Sequence, residues 1–196
     1  MVVIGTSWGG LSAVSTVVAD LPATFALPLV VVQHRSPDAP GLLAELLQHR
    51  TRLTVLEVED KQPILAGHVF VAPPNYHLLF DRGVFSLTTD APVRYSRPSI
   101  DVTFTSAADE YGRRAIGIVL TGANEDGSVG LKRIVDRGGY AIVQDPATAE
   151  SAVMPQSALR AVARARVLPL SGIARHLVTI APPRPPSQRH AGVHLT

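Results

Sequence analysis

Short apolar runs rich in β-branched residues alternate along the chain with segments whose apolar residues recur every three or four positions. The run 115–120 (Ala-Ile-Gly-Ile-Val-Leu) is typical of a parallel strand that is covered on both faces. In 41–50, by contrast, the leucines follow helical spacing and the polar residues fall on the other side. The pattern predicts strands at 2–4, 28–33, 53–58, 68–72, 115–120 and 140–144, and helices at 9–20, 40–50, 99–111, 127–137 and 155–164.

This alternation of strands and helices predicts an α/β fold, and more specifically a three-layer, doubly wound, mainly parallel sheet. The middle of the chain departs from the alternation, because two short extended runs flank Asp81-Arg82-Gly83 and predict an antiparallel hairpin near 76–88. The last residues, 181–196, are rich in proline and predict a flexible tail. We therefore expect one domain over 1–180.

Composition narrows the class of protein. The 196 residues include no cysteine, which excludes disulfide scaffolds, thiolate zinc sites and cysteine nucleophiles. No uncharged apolar run approaches the roughly 18–20 residues that span a bilayer, and residues 1–5 lack the basic start of a signal peptide. We therefore expect a cytoplasmic protein with no membrane insertion.

Charge is unevenly distributed. Up to Glu150 there are 12 lysines and arginines against 16 acidic residues, whereas the residues after Glu150 include six arginines and no acid. A basic end can bind nucleic acid or an acidic partner. Aromatic residues make up only 5% and do not alternate with basic ones, so we expect no nucleic-acid partner; an acidic protein partner or a solvated end remains open.

The first loop with candidate chemistry is Gly5-Thr6-Ser7-Trp8-Gly9-Gly10, between the first strand and the first helix. It matches Gly-x-Ser-x-Gly, in which a sharp turn exposes a serine nucleophile above a sheet. The alternative is that Ser7 is simply the N-cap of the helix over 9–20.

Two further loops follow strong strands. His34 comes directly after 28–33 and is a candidate general base, with an ordinary loop histidine as the alternative. Asp126 follows 115–120 and is a candidate partner for the imidazole. Its alternative is an N-cap of the helix over 127–137, a role open to Asn124 too, and Glu125 is another candidate acid.

Taken together, Ser7, His34 and Asp126 follow three strands whose carboxyl ends would meet at one edge of a parallel sheet. A serine activated by a histidine that a carboxylate orients is the arrangement that acyl transfer needs. The order Ser-His-Asp, and a nucleophile so early in the chain, do not fit an α/β-hydrolase.

With these motifs in place, the chain resembles the catalytic domain of CheB-type chemotaxis methylesterases over about residues 1–180. The matching blocks are Ile4-Gly5-Thr6-Ser7-Trp8-Gly9-Gly10, Val32-Gln33-His34, Phe70-Val71-Ala72-Pro73-Pro74-Asn75-Tyr76-His77, Pro98-Ser99-Ile100-Asp101-Val102-Thr103-Phe104, Leu120-Thr121-Gly122 with Asp126-Gly127, Gly138-Gly139, Gln144-Asp145 and Ser151-Ala152-Val153-Met154-Pro155.

The resemblance implies a carboxylic ester hydrolase, a protein-glutamate methylesterase that acts on methyl-accepting chemotaxis receptors and often also deamidates glutamines. By position, the family's nucleophile falls on Ser7, its histidine on His34 and its aspartate on Asp126. Its oxyanion donors would be the backbone N–H groups of Trp8 and Ala123. The resemblance implies no metal or organic cofactor, and we expect a monomer.

Three features depart from the family. Its common loop Thr-Gly-Met-Gly is Thr121-Gly122-Ala123-Asn124 here, and Trp8 replaces a small residue, either lining the substrate groove or packing on the first helix. The first strand begins at residue 2, so we expect no receiver domain: a stand-alone esterase or a fragment. A catalytically weak binding module and a hydrolase of other small esters or amides are the alternative functions.

Two side chains outside these loops also carry expectations. We expect His77 to be structural or to lie on the surface, and Ser99 to start the helix over 99–111.

Overall fold

The computed structural model describes residues 1–35 and 42–181 and shows seven parallel strands in one sheet, with a separate antiparallel hairpin. The strands are β1 (Val2–Thr6), β2 (Leu29–Gln33), β3 (Thr54–Glu57), β4 (His68–Val71), β5 (His77–Asp81), β6 (Val84–Thr88), β7 (Ile116–Val119), β8 (Tyr140–Gln144) and β9 (Arg166–Leu168). The helices are α1 (Gly10–Ala19), α2 (Leu43–Gln48), α3 (Ile100–Tyr111), α4 (Ser128–Asp136), α5 (Val153–Ala161) and α6 (Leu170–Ile180).

The order of strands in the large sheet is β3-β4-β2-β1-β7-β8-β9, and every neighbouring pair is parallel. The chain runs from β1 through α1 to β2 on one side, and β7 on the other side continues through α4 to β8. The direction of winding therefore reverses beside β1, and ligands of such sheets bind in the crevice at that point. The predicted doubly wound α/β fold is confirmed.

Helices cover both faces of the sheet because successive strand residues point to opposite sides. In β1, Val3 packs in the core beneath α3, α4, α5 and the hairpin. Val2 and Ile4 pack in the core beneath α1, α2 and α6. Each face is apolar along the central strands, which is the reason that those strands are uninterrupted apolar runs in the sequence.

Each predicted strand and helix corresponds to an observed element whose ends differ by a few residues, and the hairpin is β5 with β6. The pattern did not predict β9 or α6. Strand β9 has only three residues, two of them exposed, and so carries no apolar run. Helix α6 has a buried stripe of Ile173, Ala174 and Leu177, whose spacing was a usable signal. Residue 40, the predicted start of the second helix, and positions 182–196 of the predicted tail lie outside the described residues.

Close packing of α3 brings its first turn to the end of β7. A Cβ added to Gly5 would lie 2.3 Å from Ile100 Cγ2, and one added to Gly130 would lie 2.9 Å from the Asp101 carbonyl oxygen. Only glycine permits such close approach of a strand and a helix to α3. The N-terminus of α3 consequently reaches the loop that follows β7.

No helix within residues 1–35 and 42–181 combines the length and the apolar composition needed to cross a lipid bilayer.

Candidate active site

Ser7 and His34 lie side by side at the carboxyl edge of the sheet. Thr6 and Gln33 are register partners in the β1–β2 pair, so the residues that follow them are adjacent. The Ser7 N–H donates to the Thr121 carbonyl oxygen (3.0 Å), and the His34 N–H donates to that of Thr6 (3.1 Å). Gln33 Nε2 also donates to the Ser7 carbonyl oxygen (2.8 Å), which fixes the serine backbone.

Ser7 does not cap the first helix. The N-cap of α1 is Gly9, with φ of 74° and no side-chain hydrogen bond, and this left-handed conformation favours glycine. The alternative of Ser7 as N-cap is therefore wrong. The Ser7 hydroxyl makes no hydrogen bond within residues 1–35 and 42–181, and the serine lines a cavity.

The imidazole of His34 contacts the carboxylate of Asp126. His34 Nε2 lies 2.8 Å from Asp126 Oδ2; the histidine side chain is 11% exposed and the aspartate side chain is fully buried. A carboxylate oxygen can only accept a hydrogen bond, so Nε2 carries the ring proton. The nitrogen that remains to act as a base is Nδ1.

Asp126 binds the N-terminus of α3. Its Oδ1 accepts from Ser99 Oγ (3.0 Å) and from the N–H groups of Asp101 (2.9 Å) and Gly127 (3.0 Å). Its Oδ2 accepts from the Ile100 N–H (2.7 Å) in addition to His34. The first turn of a helix leaves such N–H groups without intrahelical partners and favours an anion there.

These contacts determine the charge of Asp126. Burial by itself would raise the pKa of this carboxyl, but the hydrogen bonds from His34, Asp101 and Ile100 outweigh burial and hold the pKa below its ordinary value. The group is therefore a carboxylate at neutral pH.

The alternatives for the third loop are wrong. The N-cap of α4 is Gly127, with no side-chain hydrogen bond, so neither Asp126 nor Asn124 caps that helix. Glu125 turns to solvent with 57% of its side chain exposed, where it lies 3.5 Å from Arg94 Nη1 and 3.8 Å from Arg160 Nη2. The carboxylate that contacts His34 is that of Asp126.

The loop after β7 packs directly against the serine. A Cβ on Gly122 would lie 3.0 Å from Ser7 Cβ and would clash with the sulfur of Met154 in α5, so a methionine side chain lies close to this loop. Hydrogen bonds tie the loop to α5 and the segment before it: Gly122 N–H to Ser151 oxygen (3.1 Å) and Met154 N–H to Gly122 oxygen (3.0 Å).

Two backbone donors beside the serine are open. Among hydrogen bonds of the described residues, none uses the N–H of Trp8 or that of Ala123. Preorganised N–H groups without internal partners can bind a developing oxyanion. They are the two groups that the family resemblance implies for this role.

Ser7 and His34 open onto a cavity of about 1000 Å³ along α1, which Trp8, Leu11 and Arg50 also line. The indole of Trp8 is 65% exposed. Trp8 therefore borders the cavity with most of its surface exposed.

Sequence reasoning missed two contacts of this site. Ser99 caps α3 as predicted, but its hydroxyl also donates to Asp126; Asn124 contacts His34. His77 is structural, with 1% exposure: its Nδ1 accepts from the Ser99 N–H (3.2 Å), and Nε2 lies 3.2 Å from the Ala91 oxygen. A surface position for His77 is therefore wrong.

A second buried carboxylate, Asp101, lies behind Asp126 and predicts a dependence of stability on pH. Burial raises its pKa to about 6, and the neighbouring Asp126 charge acts in the same direction, against the Gly130 N–H and Arg94. The unfolded carboxyl ionises near 3.8, so the folded state binds the extra proton between pH 4 and 6. Stability from this group is present below that window and is lost as pH rises through it.

We expect Asp101→Asn to be more stable than the wild type by about 1 kcal/mol at pH 8, a value discounted for solvent screening. The advantage should shrink as pH falls from 6 to 4, since the wild-type carboxyl is then neutral as well. Urea unfolding at pH 8, 6 and 4.5 measures the difference in free energy of unfolding between the two proteins. Asp109→Asn, on the exposed side of α3, is the control and should show no such pH-dependent gain; a difference independent of pH for Asp101→Asn would contradict the prediction.

Comparison with known proteins shows which family this chain resembles. Residues 2–177 match the family model described as CheB methylesterase. A Leptospira interrogans protein, provisionally named a protein-glutamate methylesterase/protein-glutamine glutaminase, is 44% identical over 180 residues, which cover 91% of this chain and 93% of that protein. An Anaeromyxobacter dehalogenans protein-glutamate methylesterase/protein-glutamine glutaminase is 42% identical over 177 residues, 90% of this chain but 52% of that protein.

A solved structure agrees with these relatives. The crystal structure of the Thermotoga maritima CheB methylesterase catalytic domain superposes with a TM-score of 0.88 and 34% identity, over 92% of this chain and 97% of that domain.

Proposed function

This chain belongs to the CheB methylesterase family, and we propose that it hydrolyses glutamyl methyl esters in proteins with Ser7 as nucleophile, His34 as base and Asp126 as the orienting carboxylate. The observation that carries the proposal is the 2.8 Å contact from His34 to the buried Asp126, with Ser7 directly after β1 and lining the same cavity as His34. A serine, a histidine and a carboxylate in this order of contact are the parts that ester hydrolysis requires.

The first half of the reaction is acylation. Ser7 Oγ attacks the ester carbonyl carbon while His34 Nδ1 takes the hydroxyl proton. The N–H groups of Trp8 and Ala123 stabilise the oxyanion of the tetrahedral intermediate. The carbon–oxygen bond to the methoxy group then breaks, His34 gives the proton to that oxygen, and methanol leaves.

The second half is deacylation. His34 takes a proton from water, the resulting hydroxide oxygen attacks the glutamyl-Ser7 ester, and the proton returns to Ser7 Oγ as the protein-bound glutamate leaves. In both halves Asp126 stabilises the imidazolium without taking the proton, because hydrogen bonds from His34 and from the first turn of α3 hold its pKa low. Glutamine would react by the same steps with ammonia as the leaving group.

The substrate that the family resemblance implies is a methyl-accepting chemotaxis receptor. Arg160, in α5, lies 3.8 Å from Glu125 in the loop of Asp126, and Arg164, just beyond α5, lies near the Val135 oxygen at the end of α4. Their charge suits an acidic protein partner.

Methanol release from a methyl-labelled receptor tests the function. Membranes that carry a methyl-accepting receptor with tritiated methyl groups are incubated with the protein, and volatile methanol is measured with and without prior fluorophosphonate treatment of the protein. We expect release that the treatment abolishes. Binding of the membranes without methanol release would instead indicate a binding module, and turnover of nitrophenyl acetate alone would indicate a small-ester hydrolase.

A further inference from the structure

Asn124 contacts the nitrogen of His34 that the proposed reaction uses as base. Asn124 Nδ2 lies 3.0 Å from His34 Nδ1, while Asn124 Oδ1 accepts from the Asp126 N–H (3.1 Å). The second contact fixes the orientation of the amide, because an N–H group needs an oxygen acceptor. The NH₂ group of Asn124 must therefore be the one that faces the imidazole.

The donor and acceptor in each of these contacts are thereby fixed. Asp126 Oδ2 accepts from His34 Nε2, so Nδ1 carries a lone pair, and the Asn124 amide donates to that lone pair. The amide oxygen closes the ring on the backbone of Asp126. Each donor meets an acceptor only when His34 is neutral and protonated at Nε2.

The Asn124 amide therefore occupies the Nδ1 lone pair of His34, which the reaction needs as a base. Between Ser7 and His34, both of which the structure describes, no hydrogen bond is formed, although the two residues are adjacent and line one cavity. The aspartate contact already orients the ring, since Asp126 is itself held by four donors from the loop and α3. The amide of Asn124 therefore competes with the Ser7 hydroxyl for Nδ1 more than it orients the imidazole ring.

We propose that Asn124 is a positioning residue that holds the site in a resting state: its amide occupies His34 Nδ1, and it must move away before Nδ1 can take the Ser7 proton. The inference rests on the proposed function of Ser7 and His34. In the common family loop that the sequence resembles, this position is glycine, which offers no amide to the histidine.

The rate at which a fluorophosphonate labels Ser7 tests the competition without a receptor. Asn124→Ser keeps an oxygen that can accept from the Asp126 N–H but cannot reach Nδ1 with a donor. We expect labelling to be about two- to tenfold faster than in the wild type, the range that one net hydrogen bond corresponds to. Asn124→Asp keeps the acceptor but places a carboxylate oxygen against Nδ1, which favours the protonated ring, and we expect slower labelling.

Nitrogen NMR of the histidine ring supplies a readout that a merely structural role would not change. In Asn124→Ser the His34 Nδ1 resonance should move downfield, as a lone-pair nitrogen does when it loses a donor, while Nε2 stays bound to Asp126. In the wild-type protein, phosphonylation of Ser7 should shift the Asn124 side-chain amide resonances, which keeps the test valid if a variant fails to fold.

Glu125→Gln is the matched control, because it lies in the same loop and turns away from His34; its labelling rate should equal that of the wild type. Equal labelling of the wild type and Asn124→Ser, with unchanged ring resonances, would overturn the inference while leaving the triad intact. Absence of labelling of Ser7 in the wild type would overturn the proposed nucleophile and this inference with it.

Discussion

Ser7→Ala is expected to lower methanol release from a methylated receptor by about 10⁴-fold or more, as removal of the nucleophile does in serine hydrolases. The residual rate would come from the open N–H groups of Trp8 and Ala123 and from substrate binding. No cysteine is available anywhere in the chain to replace the hydroxyl.

The same substitution should leave the fold intact. The Ser7 hydroxyl makes no hydrogen bond to other described residues, and the backbone contacts to Thr121 and Gln33 do not depend on the side chain. We expect the free energy of unfolding to change by less than about 0.5 kcal/mol.

The matched control for this variant is Ser171→Ala, which removes an exposed hydroxyl on α6, outside the residues that line the cavity, and should release methanol at the wild-type rate. Methanol release by Ser7→Ala at the wild-type rate would exclude Ser7 as the nucleophile, whereas loss of activity together with a lowered unfolding midpoint would indicate a folding defect instead.

Asp126→Asn should affect both catalysis and stability. An amide in place of the carboxylate presents an NH₂ group either to His34 and Ile100 or to Ser99, Asp101 and Gly127, and in both orientations a donor faces donors. If the NH₂ group faces His34, the ring adopts the other tautomer and Nδ1 cannot accept the serine proton. We expect turnover to fall by about 10³–10⁴-fold.

The loss of stability follows from the N-terminus of α3. Donors left without an acceptor, and the loss of an anion at a helix N-terminus, together should lower the free energy of unfolding by about 1–3 kcal/mol. Thermal or urea unfolding of Asp126→Asn measures this loss beside the methanol assay.

Asp136→Asn is the control, because among the described residues that exposed carboxylate at the end of α4 pairs with Lys132 alone; it should be within about 0.5 kcal/mol of the wild type and fully active. Unchanged turnover in Asp126→Asn would show that His34 does not depend on this carboxylate. Unchanged stability would show that Asp126 does not hold α3.

The sequence predicted the fold to a large extent because a strand buried on both faces of a parallel sheet is apolar at consecutive positions, a pattern visible in the sequence. Runs such as 115–120 are apolar at every position, and they became strands of the large sheet. The three candidate residues were found for the same reason, since each follows a strand whose end the pattern marks. Strand β9 shows no such pattern because two of its three residues are exposed, and it forms through pairing with β8.

The sequence pattern could not predict the contacts among those residues. Asp126 precedes α4 in the chain, which made a cap of α4 a reasonable expectation, yet its oxygens accept from the start of α3. That choice depends on the close approach of α3 to β1 and α4 through Gly5 and Gly130. A sequence pattern carries no information on such an approach between segments distant along the chain.

By itself, then, the sequence determined the parallel α/β architecture, the edge of the sheet where the candidate residues lie, and the candidates Ser7, His34 and Asp126. Only the tertiary structure decided that Nε2 of His34 faces Asp126, that Asn124 occupies Nδ1, and that His34 and α3 together hold the carboxylate ionised. The physical reason is separation along the chain. Periodicity indicates which face of each element is buried, whereas His34 and Asp126 are 92 positions apart and meet only through strand order and helix packing.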